Sequence, residues 1–247
     1  MKVAVLGKVD QKGLSFLREN EFKVIEIENF EIQNLKEQLK DVDGVLLRTT
    51  KLDKEILQHC DNLKIISRHG VGYDNVDLDF LNENKIALCI TSTSNAVSVA
   101  EHVLSFFIYL TKKLSLSDSL VKEGNFEKRS KLPNFFELYK KKVLIIGFGR
   151  IGKEVAKRCL GFDMEVYVYD PFLDNEIIIR NQCIPIEKNQ GLAIADFITI
   201  HLPLNRDTKN FISQTELNLM RKNSILVNTS RGGIVLTRIE FFLIRFN

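Results

Sequence analysis

Short runs of branched apolar residues recur along the chain, each bounded by glycine, asparagine or a charged residue, and between them apolar positions fall at helical spacing. A run of four or five Val, Ile and Leu suits a strand covered on both faces. Helical stretches between successive runs are the pattern of a parallel sheet with crossover helices. The first part predicts strands at Lys2–Leu6, Phe22–Ile27, Gly44–Arg48, Leu63–Ser67 and Ile86–Thr91, with helices near 11–19, 31–40, 52–59 and 77–84. This is a self-sufficient doubly wound α/β domain over residues 1–94. A second domain over 95–247 carries predicted strands at Val143–Ile146, Glu165–Tyr169, Ile184–Pro185, Asp196–His201 and Ser224–Asn228.

A long helix is expected from about Asn95 to Leu114, with Asn95 or Ser94 offering a side-chain cap. Its apolar residues (Val97, Val99, Ala100, Val103, Leu104, Phe106, Phe107, Ile108, Leu110) wrap almost all the way round, so it needs cover on more than one side. Burial between the two domains would supply that cover; the sharper reading adds a homodimer contact through the 95–114 helix. Residues 115–136, polar and containing Gly124 and Pro133, read as an irregular surface excursion. The strand at 224–228 is the last one expected, which leaves it as an open edge with an aggregation hazard.

Composition narrows the classes. The net charge of +3, with 45% hydrophobic and 27% charged residues, is ordinary for a globular protein. The densest basic run, Lys140-Lys141-Lys142, directly precedes a strand and reads as a solvated turn, so no nucleic-acid partner is expected. The apolar run Val103–Leu110 is too short to span a bilayer, and Met1-Lys2 leads straight into a strand rather than a signal segment. No membrane association and a cytoplasmic location are the expectation. Cys60, Cys89, Cys159 and Cys183 show no Cys-x-x-Cys spacing and read as free thiols, and no metal site is expected.

The chemistry begins at Val143-Leu144-Ile145-Ile146, followed by Gly147-Phe148-Gly149-Arg150-Ile151-Gly152, a helical pattern, and a second strand ending in Asp170. Gly147 permits the tight turn, Gly149 lets backbone approach a pyrophosphate, and Gly152 lets helix and strand pack closely. The helix N-terminus presents N–H groups and a positive dipole end to phosphates. A glycine-rich turn in an unrelated α/β domain is the plainer alternative. Asp170 follows Gly152 by 18 residues, the spacing for a carboxylate that accepts from the adenosine ribose, and its charge would repel the extra phosphate of NADP. NAD is the expected cofactor.

Two further loops suggest a use for it. Gly70-Val71-Gly72, at the end of the fourth strand, exposes consecutive N–H groups as an anion-binding concavity, or is simply a tight turn. Asn228-Thr229-Ser230-Arg231-Gly232-Gly233 ends the fifth strand of the second domain, where Arg231 could grip a carboxylate, or be a surface arginine in a loop. Together the motifs resemble the D-isomer-specific 2-hydroxyacid dehydrogenases. The landmarks are Gly70 to Asp77, Asn95 with Val99-Ala100-Glu101-His102, Gly147 to Gly152, Asp196 with His201-Leu202-Pro203-Leu204 and Thr208, and Asn228 to Val235. The resemblance implies a flavodoxin-like substrate domain beside a Rossmann NAD domain. It implies that Gly70, Val71 and Gly72 hold a substrate carboxylate, and that Gly147, Gly149, Arg150, Ile151, Gly152, Asp170, Leu202, Pro203, Thr208, Thr229 and Ser230 surround NAD. Arg231 would be the catalytic, substrate-orienting arginine. The implied reaction is reversible hydride transfer with a small 2-hydroxy or 2-oxo acid; Arg48 and Arg68 either favour a phosphorylated one, 3-phosphoglycerate among the candidates, or are structural ion-pair partners.

The sequence also departs from that family. Its members place a glutamate and a proton-transferring histidine well after the arginine turn, whereas this sequence stops 16 residues past Arg231 in an apolar tail unlike theirs. The expectation is a truncated chain whose NAD domain lacks its last strands, with impaired turnover. Of the four histidines, His69 is the best placed substitute, yet it, His59, His102 and His201 read better as structural, and Glu240 has no histidine after it. The alternative function is a non-catalytic NAD-binding scaffold or sensor.

Overall fold

The computed structural model describes residues 1–236 and the backbone of 242–245. The chain divides into two compact units, Met1–Asn95 and Ala96–Asn247.

The first unit runs β1 (Lys2–Leu6), α1 (Gln11–Glu19), β2 (Lys23–Ile27), α2 (Ile32–Gln38), β3 (Gly44–Leu47), α3 (Lys54–Leu57), β4 (Ile65–Arg68), α4 (Leu78–Glu83) and β5 (Ala87–Ile90). Its strands are parallel in the order β2-β1-β3-β4-β5, so the connection direction reverses between β1 and β3. Ala4, Leu6, Val45, Leu47 and Ile66 meet Leu35, Leu39, Ile56 and Leu81 from the helices in one apolar cluster. Helix starts are set by acids: Asp10 caps α1 by accepting from the Lys12 N–H at 2.8 Å, and Asp77 caps α4 by accepting from Phe80 at 3.0 Å.

The second unit runs α5 (Ala96–Thr111), α6 (Leu114–Lys122), a 3₁₀ segment (Phe126–Lys131), β6 (Lys142–Ile146), α7 (Arg150–Gly161), β7 (Glu165–Tyr169), α8 (Asn175–Arg180), β8 (Ile184–Pro185), α9 (Lys188–Ile194), β9 (Phe197–Ile200), α10 (Gln214–Leu219), β10 (Ile225–Asn228) and β11 (Phe242–Arg245). Its sheet has the order β11-β10-β9-β6-β7-β8, parallel except for β11. The four apolar residues of β6, Val143 to Ile146, serve both faces because side chains alternate. Val143 and Ile145 pack with Val103, Phe107, Val155 and Cys159, while Leu144 and Ile146 pack with Leu192, Ile198 and Ile212. Each such side chain, once buried, contributes roughly 1.5–3 kcal/mol.

Several expectations need correction. The long helix ends at Thr111 rather than Leu114, because the backbone passes through a left-handed Lys113 (φ 51°) before restarting. Residues 115–136 are not wholly irregular: α6 covers Leu114–Lys122, supported by an Asp118–Lys122 pair at 2.7 Å, and a 3₁₀ segment follows. The helix cap is not made as expected, since Ser94 Oγ donates to the Thr91 carbonyl and Asn95 Oδ1 is buried without a hydrogen-bond partner among the described residues. On α5, Ala100, Val103, Leu104 and Phe107 are buried, whereas Val97 and Tyr109 are exposed. The strand at 225–228 is not an open edge, because β11 pairs with it antiparallel, Ile225 opposite Arg245 and Asn228 opposite Phe242. Antiparallel pairing needs only free backbone groups, which an edge strand supplies whatever the partner's sequence. Glu240 lies outside the described residues. Among the described residues no helix is long and apolar enough to cross a membrane.

Candidate functional site

Three turns of the second unit lie side by side at the carboxyl ends of β6, β9 and β10, and Asp170 ends the neighbouring β7. The reversal of strand order between β6 and β9 opens a crevice at this edge, the place where ligands of doubly wound sheets bind.

Gly147 follows β6 with φ +91°, and a Cβ there would stand 2.7 Å from the His201 carbonyl oxygen, so both backbone and space demand glycine. A Cβ on Gly152 would press into the Gly147 carbonyl, well inside van der Waals contact. Gly149 is different. It is exposed, a Cβ on it would meet nothing within 4 Å, and as the N-cap of α7 it brings no side-chain hydrogen bond to the first turn. The N–H groups of that turn are thus left facing an open cradle, as a pyrophosphate requires.

Asp170 lies where the sequence put it and has a further role that was not foreseen. One carboxylate oxygen accepts from the Phe148 N–H at 2.8 Å and the other from the Phe172 N–H at 3.0 Å. The acid therefore clips the glycine turn to the end of β7, and each oxygen retains lone-pair capacity for a ribose hydroxyl. Phe148 itself is buried in the core, which anchors the turn from below.

The 201–208 turn is built around two side chains. His201 donates its backbone N–H to Ile146 at 2.8 Å, and its Nε2 lies 2.9 Å from Thr199 Oγ1. Desolvation pushes its imidazole down to about 3, so it is neutral at neutral pH. Thr208 Oγ1 donates to the Pro203 carbonyl and accepts from the Asn205 N–H at 2.8 Å, so its hydroxyl closes the loop that displays Leu202 and Pro203.

In the 228–233 turn, Asn228 organises its neighbours. Its Oδ1 accepts from the Ser230 N–H at 3.0 Å and from Ser230 Oγ at 2.6 Å, and its Nδ2 donates to the Arg231 carbonyl at 2.8 Å. The Ser230 hydroxyl is thereby engaged within the turn. Thr229 Oγ1, by contrast, is buried without a hydrogen-bond partner among the described residues, an uncommon state for a native hydroxyl unless a ligand supplies one. Arg231 donates from Nη1 to the Ser230 carbonyl at 2.9 Å, which fixes the guanidinium beside the turn. A Cβ on Gly233 would stand 3.3 Å from Leu204, so this turn packs against its neighbour. The glycine cradle, Asp170, the free-standing Thr229 hydroxyl and the two adjoining turns fit a dinucleotide. Arg150 and Ile151 open α7 at the same edge, Arg150 exposed and Ile151 half-buried.

Gly70, Val71 and Gly72 belong to the first unit, just after β4, and all three are half-buried. The Arg68 guanidinium folds over Gly70 and donates to the His69 carbonyl, which brings positive charge to the loop. Asn75 and Asp77 act structurally: Asn75 Nδ2 donates to the Thr50 carbonyl at 2.7 Å, and Asp77 is the α4 cap.

Comparison with known proteins agrees with these features. Residues 104–238 match the family described as D-isomer specific 2-hydroxyacid dehydrogenase, NAD binding domain. The chain is 33% identical over 236 residues to D-3-phosphoglycerate dehydrogenase of Archaeoglobus fulgidus, covering 95% of this chain and 44% of the relative. It is 34% identical over 253 residues to glyoxylate reductase of Thermococcus litoralis, covering 95% and 73%. Among solved structures, D-lactate dehydrogenase from Aquifex aeolicus complexed with NAD and lactic acid superposes with a TM-score of 0.84 at 27% identity, covering 96% of this chain and 71% of that one. The chain spans less than half the length of the first curated relatives it matches.

Proposed function

The chain belongs to the family of D-isomer-specific 2-hydroxyacid dehydrogenases, with NAD as cofactor, and from that premise we propose that it moves a hydride between NAD(H) and C2 of a small 2-hydroxy or 2-oxo acid. The observation that carries this reading is the open glycine cradle at the start of α7, with Asp170, Thr229 and Arg231 along the same sheet edge.

NAD, when bound, supplies or accepts the hydride; holding and orienting fall to this chain's own groups. Gly149 lets the pyrophosphate approach the first N–H groups of α7, and Gly147 and Gly152 keep that turn tight. Asp170 accepts from the ribose and disfavours a 2′-phosphate. Ile151, Leu202 and Pro203 wall the nucleotide, and the Thr229 hydroxyl gains there the partner it lacks. In the first unit the amides of Gly70, Val71 and Gly72 receive the substrate carboxylate. In the second, Arg231 orients the acid and polarises the carbonyl to be reduced. Arg68 beside Gly70 favours a second anionic group on the substrate, as in 3-phosphoglycerate.

Hydride transfer also needs a proton at the oxygen, from an acid within hydrogen-bond reach. In the second unit His201 is neutral and bonded to Thr199, and His102 packs edge-on against Phe106. NADH binding with slow turnover is the outcome expected of residues 1–247 tested alone, unless His69 beside the Gly70–Gly72 loop gives the proton. The same engagement of both histidines favours the second reading, a non-catalytic NAD-binding scaffold or sensor.

Titration calorimetry with NADH and turnover on phosphohydroxypyruvate, glyoxylate and pyruvate separate the two. For the dehydrogenase, Arg231→Ala lowers kcat/KM on the best acid by about 10²–10³-fold with NADH affinity unchanged. Binding with no turnover on any acid leaves the scaffold, and no NADH binding removes both. We further propose a homodimer contact through the 95–114 helix, on which Val97 and Tyr109 are exposed. The same sample should sediment as a dimer that Tyr109→Asp dissociates, and a monomer removes that assignment.

A further inference from the structure

At the opposite, amino-terminal edge of the second sheet, where β6, β9 and β10 begin, the surface folds into a cleft of about 220 Å³. Phe136, Phe197 and Ile225 give it apolar walls, and Leu110 and Thr111 at the end of α5 close one side. An apolar cavity of about 150 Å³ is enough to hold benzene, so this one has room for a ring or branched chain with a polar group attached.

The charge at the cleft is uneven. Lys113, Lys141, Arg221 and Lys222 outnumber Glu137 and Asp196. Asp196 and Arg221 offset each other: one Asp196 oxygen accepts from the Lys142 N–H at 3.0 Å and the other from Arg221 at 2.8 Å. Lys141 and Lys222 still outnumber Glu137, so the field at the opening is positive. Ser224 also lines the cleft, is 2% exposed, and its Oγ has no hydrogen-bond partner among the described residues. Buried native hydroxyls are normally satisfied. An unsatisfied one in a walled, positively charged cleft marks the place of a missing acceptor.

We propose that this cleft is a second ligand site, for a small carboxylic acid with an aromatic or branched aliphatic body. The body lies against Phe136, Phe197 and Ile225, and the carboxylate accepts from the Ser224 hydroxyl in the field of the lysines. The four residues of β9 separate the cleft from the glycine cradle by roughly 13 Å along the strand, so this ligand does not compete with NAD.

The probe is phenylacetate, titrated into the chain saturated with NADH and followed by amide chemical shifts, with benzyl alcohol and inorganic phosphate as controls. The expected result is saturable phenylacetate binding with shifts centred on 110–113, 136–141 and 221–225, and weaker binding of both controls. Ser224→Ala weakens phenylacetate about tenfold, the loss of one hydrogen bond to a charged acceptor, without lowering the melting temperature. Lys222→Glu, at an exposed position that does not threaten folding, weakens it several-fold, while NADH affinity is unchanged in both variants. The proposal is overturned if phenylacetate does not saturate. It is equally overturned if Ser224→Ala and Lys222→Glu bind it as the parent does, or if phosphate binds as well as phenylacetate.

Discussion

In the first unit Asp43 stands immediately before β3, and in the second Asp196 stands immediately before β9. Asp43 accepts from the Lys2 N–H at 2.8 Å and from Lys64 at 2.7 Å; Asp196 accepts from the Lys142 N–H at 3.0 Å and from Arg221 at 2.8 Å. Both acids tie the central strand of a doubly wound sheet to its neighbour at the amino edge. The carboxyl edges part company. After β1 the chain reads Gly7-Lys8-Val9-Asp10, and the Asp10 carboxylate caps α1 itself. After β6 only three residues, Gly147-Phe148-Gly149, lead to the helix start, and the N-cap Gly149 has no side chain and leaves α7 uncapped. One helix start carries its own anion and the other waits for one. Two sheets with the same kind of strand reversal therefore differ in what they can bind because of one residue at the N-cap, so the site rather than the fold decides function.

The sharpest way to break this comparison is at the third residue of each helix, Gly13 in α1 and Gly152 in α7. A Cβ on Gly13 meets nothing within 4 Å, whereas one on Gly152 drives into the Gly147 carbonyl. Gly13→Ala should stabilise the first unit by roughly 0.5–1 kcal/mol, since alanine loses less backbone freedom in a helix. Gly152→Ala should destabilise the second by about 1–3 kcal/mol or more and abolish NADH binding. Chemical denaturation with hydrogen exchange resolved by unit measures both, and equal effects would sink the contrast. Next in size is a swap at the N-cap. Gly149→Asp gives α7 the cap that α1 has, so stability should hold or rise by about 0.5–1 kcal/mol while NADH affinity falls on the order of 100-fold, through like-charge repulsion and an occupied first turn. Titration calorimetry at unchanged affinity would refute it.

These contrasts were only partly legible in the sequence. Gly147, Gly149, Gly152 and Asp170 were readable because their chemistry depends on residue type and spacing alone. The clip from Asp170 to the Phe148 N–H was not, because a backbone donor leaves no mark in sequence; nor was the Asn228 network that shapes the arginine turn. Asp10-Gln11-Lys12-Gly13 set beside Gly149-Arg150-Ile151-Gly152 shows the exchange of Asp10 for Gly149. Helix α6 escaped because Leu114-Ser115-Leu116-Ser117-Asp118-Ser119 is rich in serine, a residue that competes for backbone hydrogen bonds and weakens the helical signal. Strand β11 escaped because pairing with an exposed edge asks for extended backbone rather than for a pattern.

The smallest expected effect separates the units by pH. Arg48 and His201 hold corresponding places, each following the strand beside the central one and donating its N–H to the last residue of that strand, Leu6 at 3.0 Å and Ile146 at 2.8 Å. Arg48 lies at the surface and donates to the Lys8 carbonyl at 3.1 Å, whereas His201 is held neutral beside Thr199 with its pKa lowered to about 3. Unfolded, the imidazole would take up a proton near its ordinary 6.5. Between those values the unfolded chain binds the proton and the folded chain does not. The stabilisation is therefore whole above pH 6.5 and is lost as pH falls, by up to about 1.4 kcal/mol per pH unit for one proton. Carboxylates do not confuse the upper part of this window. Burial raises Glu216, but the bonds from Lys188 and Ser213 outweigh it and hold the acid at about 2, and Asp43 is lowered by its bond from Lys64, so both act only below the ordinary carboxylate range. Hydrogen exchange at pH 6.5 and 5.5 should show the second unit losing protection relative to the first, and His201→Gln, which keeps a partner for Thr199, should remove the difference. An unchanged slope in that variant would mean that another group drives the acid sensitivity of the second unit.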